Sequence, residues 1–242
     1  MQLWVGLGNP GGSYAQNRHN VGFLAIDRIA ADYGFPPFRA RFQGLVSEGR
    51  VGEERIALLK PQTFMNLSGQ SVGEAMRYLK LTPADVTVFH DELDLAPFRV
   101  RLKTGGGHAG HNGLRSLHAH IGEGYGRVRL GIGHPGDKDR VAGYVLSDFA
   151  KAEVDGLDDL LRGIADGAPL LAKGDGPGFL NRVTARTAPP RPAAKPRRPE
   201  EPPEKAPEKA PARAARDAEG PPEKTPEETP KDPLRRLMER FR

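Results

Sequence analysis

Apolar and polar positions recur along this chain with two periods, and the switches between them outline its elements. Leu3–Leu7 is a short apolar run closed by glycine, the pattern of a buried strand. Asn20–Tyr33 carries Val21, Leu24, Ala25 and Ile29 at helical spacing, and Gly34 with Pro36-Pro37 ends it. Gln43–Gly49 and Arg55–Lys60 flank a Val-Gly-Glu-Glu turn and predict a hairpin, stopped by Pro61. Asn66 or Ser68 is placed to cap a helix running to Leu79. Val86–Phe89 reads as a buried strand with His90, Asp91, Glu92 and Asp94 crowded at its end. Arg99–Lys103 and Arg127–Gly133 alternate in strand fashion. Asn112–Ile121, Asp137–Leu146 and Val154–Ala172 read as helices, the first entered from a glycine loop.

Strands and helices therefore interleave, with one hairpin inserted. This predicts an α/β fold: a single three-layer α/β/α domain with a mixed, mostly parallel sheet. In such a sheet the ligand crevice lies beyond the carboxyl ends of the strands. Asn9 follows the first strand, Phe64 and Asn66 follow Arg55–Lys60, and Asp91 follows Val86–Phe89. Polar candidates thus gather at one edge.

Composition divides the 242 residues near position 186. Residues 187–242 hold 14 of the 23 prolines and only one of the 30 glycines, the rest being mostly Lys, Arg, Glu and Ala. Such a segment has too little apolar surface to offset the entropy of ordering it. The expected organisation is a domain over 1–186 and a disordered low-complexity tail over 187–242. Within the tail, Leu234, Leu237, Met238 and Phe241 fall at helical spacing, so a short basic amphipathic helix at 234–242 is one reading and a solvated terminus the other. The formal charge of +5 is spread over both regions, so any nucleic-acid contact should be a local patch. The absence of cysteine excludes thiolate nucleophiles and Cys-based zinc sites. No apolar run approaches the ~20 residues of a membrane span, and no basic n-region precedes an apolar stretch. A cytoplasmic location is the expectation.

All seven histidines lie before residue 135, in or beside runs rich in Gly and Asn. Gly6-x-Gly8-x-x-Gly11 fits the dinucleotide-binding pattern, but Pro10 interrupts the loop and no helix follows at once. His108-x-x-His111 with His90 and Asp91 invites a metal reading, yet the two loop histidines do not share a helical face. His19 with Asp91 is the sharper pair. A histidine titrating near neutrality is a natural base, and a carboxylate on its other nitrogen would fix its tautomer. No Ser sits in a nucleophile elbow and there is no Cys, so water is the expected nucleophile. The basic residues Arg99, Arg101, Lys103, Arg127 and Arg129 make either a solvated sheet face or a phosphate patch.

Several runs together carry a family resemblance. Val5-Gly-Leu-Gly-Asn-Pro-Gly11, Tyr14, Arg18-His-Asn-Val-Gly22, Lys60–Gly69, His90-Asp-Glu-Leu-Asp94, Gly105–Leu114 and Arg129-Leu-Gly-Ile-Gly-His-Pro-Gly136 resemble bacterial-type peptidyl-tRNA hydrolase, in order over roughly residues 2–184. The resemblance implies a usually monomeric cytoplasmic enzyme that needs no cofactor or metal. It would cleave the ester between a peptide and the 3′ ribose of tRNA, so its partner is peptidyl-tRNA. By the same resemblance His19 is the general base, Asp91 its orienting carboxylate, and Asn9 the contact to the peptide side of the ester. Tyr14, Phe64, Asn66 and Asn112 would hold the peptide and the tRNA acceptor end, and Arg101, Lys103 and Arg129 would face tRNA phosphates.

Two departures from the family pattern stand out. Ala96-Pro97-Phe98 occupies a turn that commonly ends in Gly, and Ala109 replaces a Gly between the loop histidines. Ala109 is expected to resist positive φ and stiffen its loop. The competing readings are a non-catalytic RNA-binding protein on the same fold, a hydrolase of small esters without an RNA partner, and a nucleotide-binding oxidoreductase.

Overall fold

The structure, a computed structural model, describes residues 1–188. The low-complexity segment expected from 187 lies outside these residues but for its first two, and the helix expected at 234–242 lies wholly outside them.

Seven strands form one sheet: β1 (Gln2–Gly6), β2 (Arg39–Arg41), β3 (Gly44–Val51), β4 (Glu54–Pro61), β5 (Val86–Glu92), β6 (Val100–Thr104) and β7 (Gly126–Gly131). Their order across the sheet is β2-β3-β4-β1-β5-β7-β6. The central strands β4, β1, β5 and β7 run parallel, and β3 and β6 run against them. Among the described residues six α-helices accompany the sheet: α1 (Val21–Asp32), α2 (Ser68–Tyr78), α3 (Asn112–Ile121), α4 (Val141–Val145), α5 (Val154–Ala172) and α6 (Gly176–Thr187).

The period of two along β1 divides its side chains between two cores. Trp4 joins Ile26 and Ile29 of α1, Leu160 and Ile164 of α5, and Phe179 of α6 on one face. Leu3 and Val5 join Val72 of α2 and Leu114 and Leu117 of α3 on the other. Both faces of the parallel strands are thus covered, as the apolar runs required. Each fully buried Leu, Ile or Val contributes about 1.5–3 kcal/mol. Helices on both sides of a mixed sheet are the three-layer architecture expected from the sequence.

Three local expectations need correction. Neither Asn66 nor Ser68 caps α2, because a 3₁₀ turn over Met65–Leu67 leads straight into it. The free Gly69 N–H is instead taken by Ser116 Oγ of α3 at 2.9 Å, a cap supplied by the neighbouring helix. The helix expected over Asp137–Leu146 is a 3₁₀ turn, Lys138–Arg140, followed by the five-residue α4. The edge strand β2 and helix α6 were not anticipated. The first is only three exposed residues, and the second begins Gly-Pro-Gly, a loop signature rescued by Pro at its start and by Asp175 accepting the Gly178 N–H.

Positioning of the site begins at Gly22. A Cβ there would collide with Phe89 O and with the Leu7 backbone, so the start of α1 lies directly on the ends of β1 and β5. That close approach brings the 3₁₀ turn Arg18–Asn20 onto the carboxyl end of β5, where Asp91 stands. The loop after β1 passes through 3₁₀ turns at Gly12–Tyr14 and Arg18–Asn20 before α1 begins. It therefore presents no helix N-terminus at Gly11, in agreement with the reading against a dinucleotide loop.

Candidate active site

Arg18 secures the turn that carries His19. Its guanidinium pairs with Glu153 at 2.6 Å, donates to Ser147 Oγ at 2.9 Å and to the Asp148 carbonyl, and lies over the Tyr144 ring. Asn17 adds a 2.7 Å bond from Nδ2 to Asp148 Oδ1. The segment following α4 is thereby tied to the residues flanking His19.

His19 Nδ1 lies 2.8 and 2.9 Å from the two oxygens of Asp91. A carboxylate only accepts, so Nδ1 carries the proton and Nε2 keeps its lone pair. Asp91 has a second imidazole partner: His111 Nε2 lies 3.0 Å from Asp91 Oδ1. The tautomer of His111 is set by its place as the N-cap of α3. Its Nδ1 accepts the Gly113 and Leu114 N–H groups at 3.1 and 3.3 Å, which leaves Nε2 as the donor to Asp91. Asp91 is thus a buried carboxylate between two N–H donors.

The charges follow from this arrangement. Burial is the largest influence on Asp91 and opposes its ionisation, but His19 and His111 together outweigh it and hold the carboxyl well below the usual carboxylate range. Burial likewise pulls His19 down, but the Asp91 charge and hydrogen bond prevail and raise it above its ordinary 6.5. At the neighbouring His90 burial outweighs the Asp91 charge and carbonyl, which also favour the cation. Fully buried, and facing His111, it is lowered to about 3 and is neutral at physiological pH. Its Nδ1–H donates to the Asp91 carbonyl at 2.8 Å, which steadies the end of β5.

Asn9 is held on three sides. Its N–H donates to Asn20 Oδ1 and its carbonyl accepts from Asn20 Nδ2, both at 2.9 Å. Its own Oδ1 accepts the Met65 N–H at 3.0 Å. The amide orientation is therefore determined, and Nδ2 makes no hydrogen bond among the described residues. Phe64 and Asn66, both exposed, flank Met65 and so stand beside Asn9. Tyr14 is half-buried in the 3₁₀ turn after the Asn9 loop.

A cavity of about 520 Å³ opens beside His19 and Asp91 and includes Asn112, Lys103 and Arg129 in its wall. Its far side is apolar, with Val141 and Val145 of α4. Arg101 is exposed on β6 opposite Arg129 and is not part of this wall. The basic set divides further than its alternation implied. Arg129 Nε pairs with Glu92 at 2.8 Å, and Arg127 is buried, turned onto the carbonyls of the Gly105–Gly107 loop.

Ala109 does take positive φ, at 47°, and Phe98 takes 63°. The expected resistance is therefore met as strain, on the order of 1–2 kcal/mol for each non-glycine residue in this region. At Phe98 packing compensates: the ring fits against Gly156 of α5 and beside Phe149.

Asn20 was not singled out from sequence, His111 was read only as half of a metal spacing, and Arg127 only as one of the basic strand residues. A His-x-x-His spacing hinted at His111, but nothing in the chain tells a cap from a ligand. His19, Asp91 and His111 each offer a ligand atom within 4.8 Å of the others, the one such group among the described residues. Both nitrogens of His111, the Asp91 carboxylate and His19 Nδ1 are engaged with one another and with α3, and His19 Nε2 is left with its lone pair.

Known proteins share both the sequence and the fold of this chain. The family model described as peptidyl-tRNA hydrolase matches residues 3–190. A peptidyl-tRNA hydrolase of Paracoccus denitrificans is 74% identical over 202 residues, covering 84% of this chain and 85% of that one. One from Ruegeria pomeroyi is 65% identical over 210 residues, covering 84% and 88%. A crystal structure of the Acinetobacter baumannii peptidyl-tRNA hydrolase superposes with a TM-score of 0.68 at 43% identity, covering 76% of this chain and 95% of that chain. A peptidyl-tRNA hydrolase crystallised with N-propanol gives a TM-score of 0.72 at 42% identity over the same shares. The match spans the seven strands and six helices of the described residues, and the chain belongs to the peptidyl-tRNA hydrolase family.

Proposed function

We propose that this protein hydrolyses the ester between an N-blocked peptide and the 3′ ribose of tRNA, with His19 as the general base. The observation that carries the reading is the tautomer of His19. Its Nδ1–H is bound by Asp91, so Nε2 is the free, basic nitrogen. A water on Nε2 gives up its proton as its oxygen attacks the ester carbonyl. The imidazolium so formed is stabilised by the adjacent carboxylate. It returns the proton to the ribose oxygen as the tetrahedral intermediate collapses, releasing peptide acid and tRNA. No metal is invoked. Asn9 Nδ2, unengaged and fixed in direction by the Met65 N–H on its other atom, is the donor for the developing oxyanion.

The cavity beyond Asp91 suits the nucleotide side of the ester. Lys103 and Arg129 supply positive charge for phosphate, and Val141 and Val145 an apolar wall. Asn112 at the start of α3, with Tyr14, Phe64 and Asn66 on the Asn9 side, would hold the acceptor end and the peptide. Arg101, exposed and beside Arg129, would add to the phosphate patch. Binding to tRNA should accordingly weaken as salt rises.

Selectivity has a physical basis. The α-amino group of an aminoacyl ester is partly or mostly protonated near neutrality, and an amide is not. A subsite built from neutral amides would exclude the charge through its desolvation cost. The test compares release of N-acetyl-aminoacyl and free aminoacyl groups from one tRNA. Cleavage of the blocked ester alone is expected. Binding without cleavage of either would favour a non-catalytic RNA-binding protein, and equal cleavage of both would remove the neutral subsite.

The Asp91 pairing also predicts a pH profile. Since His19 must be neutral to act and its pKa is raised, the rate should climb with pH through a midpoint above 6.5. Asp91→Asn removes the carboxylate and leaves burial unopposed. The midpoint should then move down, with a smaller loss of maximal rate than removal of the imidazole causes. An unchanged midpoint would disconnect Asp91 from the base. The sign for stability is opposite to that for rate: a raised histidine stabilises the fold below 6.5, and the contribution disappears as pH rises through the folded-state pKa.

A further inference from the structure

We propose that Arg127 is a positioning residue for this site: its buried guanidinium grips the Gly105–Gly107 loop and thereby sets where His111 meets Asp91. The inference rests on the reading of His19, Asp91 and His111 given above, and assigns a function to a residue that touches none of them.

Arg127 lies on β7, between Val88 of β5 and Lys103 of β6, and is 4% exposed. Its Nη1 donates to Gly107 O at 3.0 Å, and its Nη2 donates to Gly105 O and Gly106 O. One guanidinium thus gathers three successive carbonyls. Turning them to one side requires left-handed backbone at Gly105 and Gly106, with φ of 66° and 78°. The chain then reaches His111 in four residues, and the His111 N–H closes the turn on His108 O at 2.9 Å.

Stability alone does not account for this side chain. None of the ion pairs among the described residues includes Arg127. Its Nε is buried without a hydrogen-bond partner. A buried cation held by carbonyls and lying 5.6 Å from the Tyr125 ring centroid, with no carboxylate partner among the described residues, carries a desolvation cost that an apolar residue would avoid. What the guanidinium supplies is geometry, a planar fork able to hold several acceptors at once, which a lysine ammonium does not match. His111 is sensitive to that geometry because both its nitrogens are committed, Nδ1 to the first turn of α3 and Nε2 to Asp91. Misplacement by about 1 Å is enough to cost on the order of a hundred-fold in rate.

The experiment combines kinetics on N-acetyl-aminoacyl-tRNA with amide hydrogen exchange on the full chain. Arg127→Met is expected to lower kcat by about ten- to a hundred-fold, with KM little changed. Arg127→Lys should recover part of the loss. Introduced on top of His111→Ala, Arg127→Met should cost almost nothing further, since the residue it positions is gone. Independently of any catalysis, Gly113 and Leu114 amides should exchange faster in Arg127→Met, while β5 amides stay protected. Gly106→Ala attacks the same device from the loop side, through its φ of 78°, and should reproduce the pattern if Arg127→Met does not fold. Equal losses with and without His111, together with unchanged exchange at Gly113 and Leu114, would overturn the proposal and leave Arg127 a purely structural residue. If the wild-type chain cleaves no ester, the kinetic reading of the site fails, and the exchange data still decide whether Arg127 positions His111.

Discussion

Replacing His19 by alanine is expected to lower kcat on N-acetyl-aminoacyl-tRNA by about 10²–10⁴ or more, the range a positioned base contributes. Binding of the tRNA should be little affected. The imidazole is buried against Asp91 and His111 rather than spread over a surface, and the residues proposed to meet phosphate are others, Lys103 and Arg129 in the cavity wall and Arg101 outside it. The fold should persist, because α1 is seated by Gly22 and the turn is secured by Arg18, neither of which depends on the ring. The acid limb of the rate profile should vanish with the base that causes it. Single-turnover release measured beside tRNA affinity separates the outcomes. Retention of full activity would transfer the base to another group, and joint loss of binding and activity would make His19 a binding residue.

Asn9→Asp is expected to produce the second large effect, a fall of about 10²–10³ in kcat, the scale seen when one oxyanion donor is removed. The substitution is nearly isosteric and spares the local structure. An aspartate oxygen can still accept the Met65 N–H, and both Asn20 bonds go to the Asn9 backbone. What changes is the free atom. An N–H donor becomes an anionic acceptor at the atom proposed to meet the developing negative charge. If Asn9 served only to hold Met65 and the flanking Phe64 and Asn66, Asn9→Asp would keep its rate while Asn9→Ala lost it. The pair of variants therefore distinguishes a donor to the reaction from a strut.

The layers of the fold were legible because burial leaves a periodic trace. The run Leu3–Leu7 and the spacing of Val21, Ala25 and Ile29 mark surfaces that must leave water, and the structure places them in the two cores. The chemical candidates were legible for a related reason. Catalysis requires particular functional groups, and Asn9, His19 and Asp91 sit in glycine-rich or strand-end segments that the fold class gathers at one edge. Elements with weak periodicity were missed. Three-residue β2 has no face to bury, and α6 hides its start behind Gly176-Pro177-Gly178. The caps were misplaced for the same reason: Gly69 finds its acceptor on Ser116, a residue 47 positions away.

By itself, the amino-acid sequence determined the fold class and the edge at which the polar candidates gather, since each depends on local periodicity, while the ester chemistry was implied by the resemblance that its motifs carry. The tertiary structure alone decided how those residues are wired. That Asp91 has two imidazoles on it, that His111 is held in one tautomer by the N–H groups of α3, and that Arg127 is buried with its guanidinium on three glycine carbonyls are all consequences of contacts across the fold. Hydrogen-bond direction and burial belong to pairs of groups brought together by packing, and a linear pattern records only one member of each pair at a time.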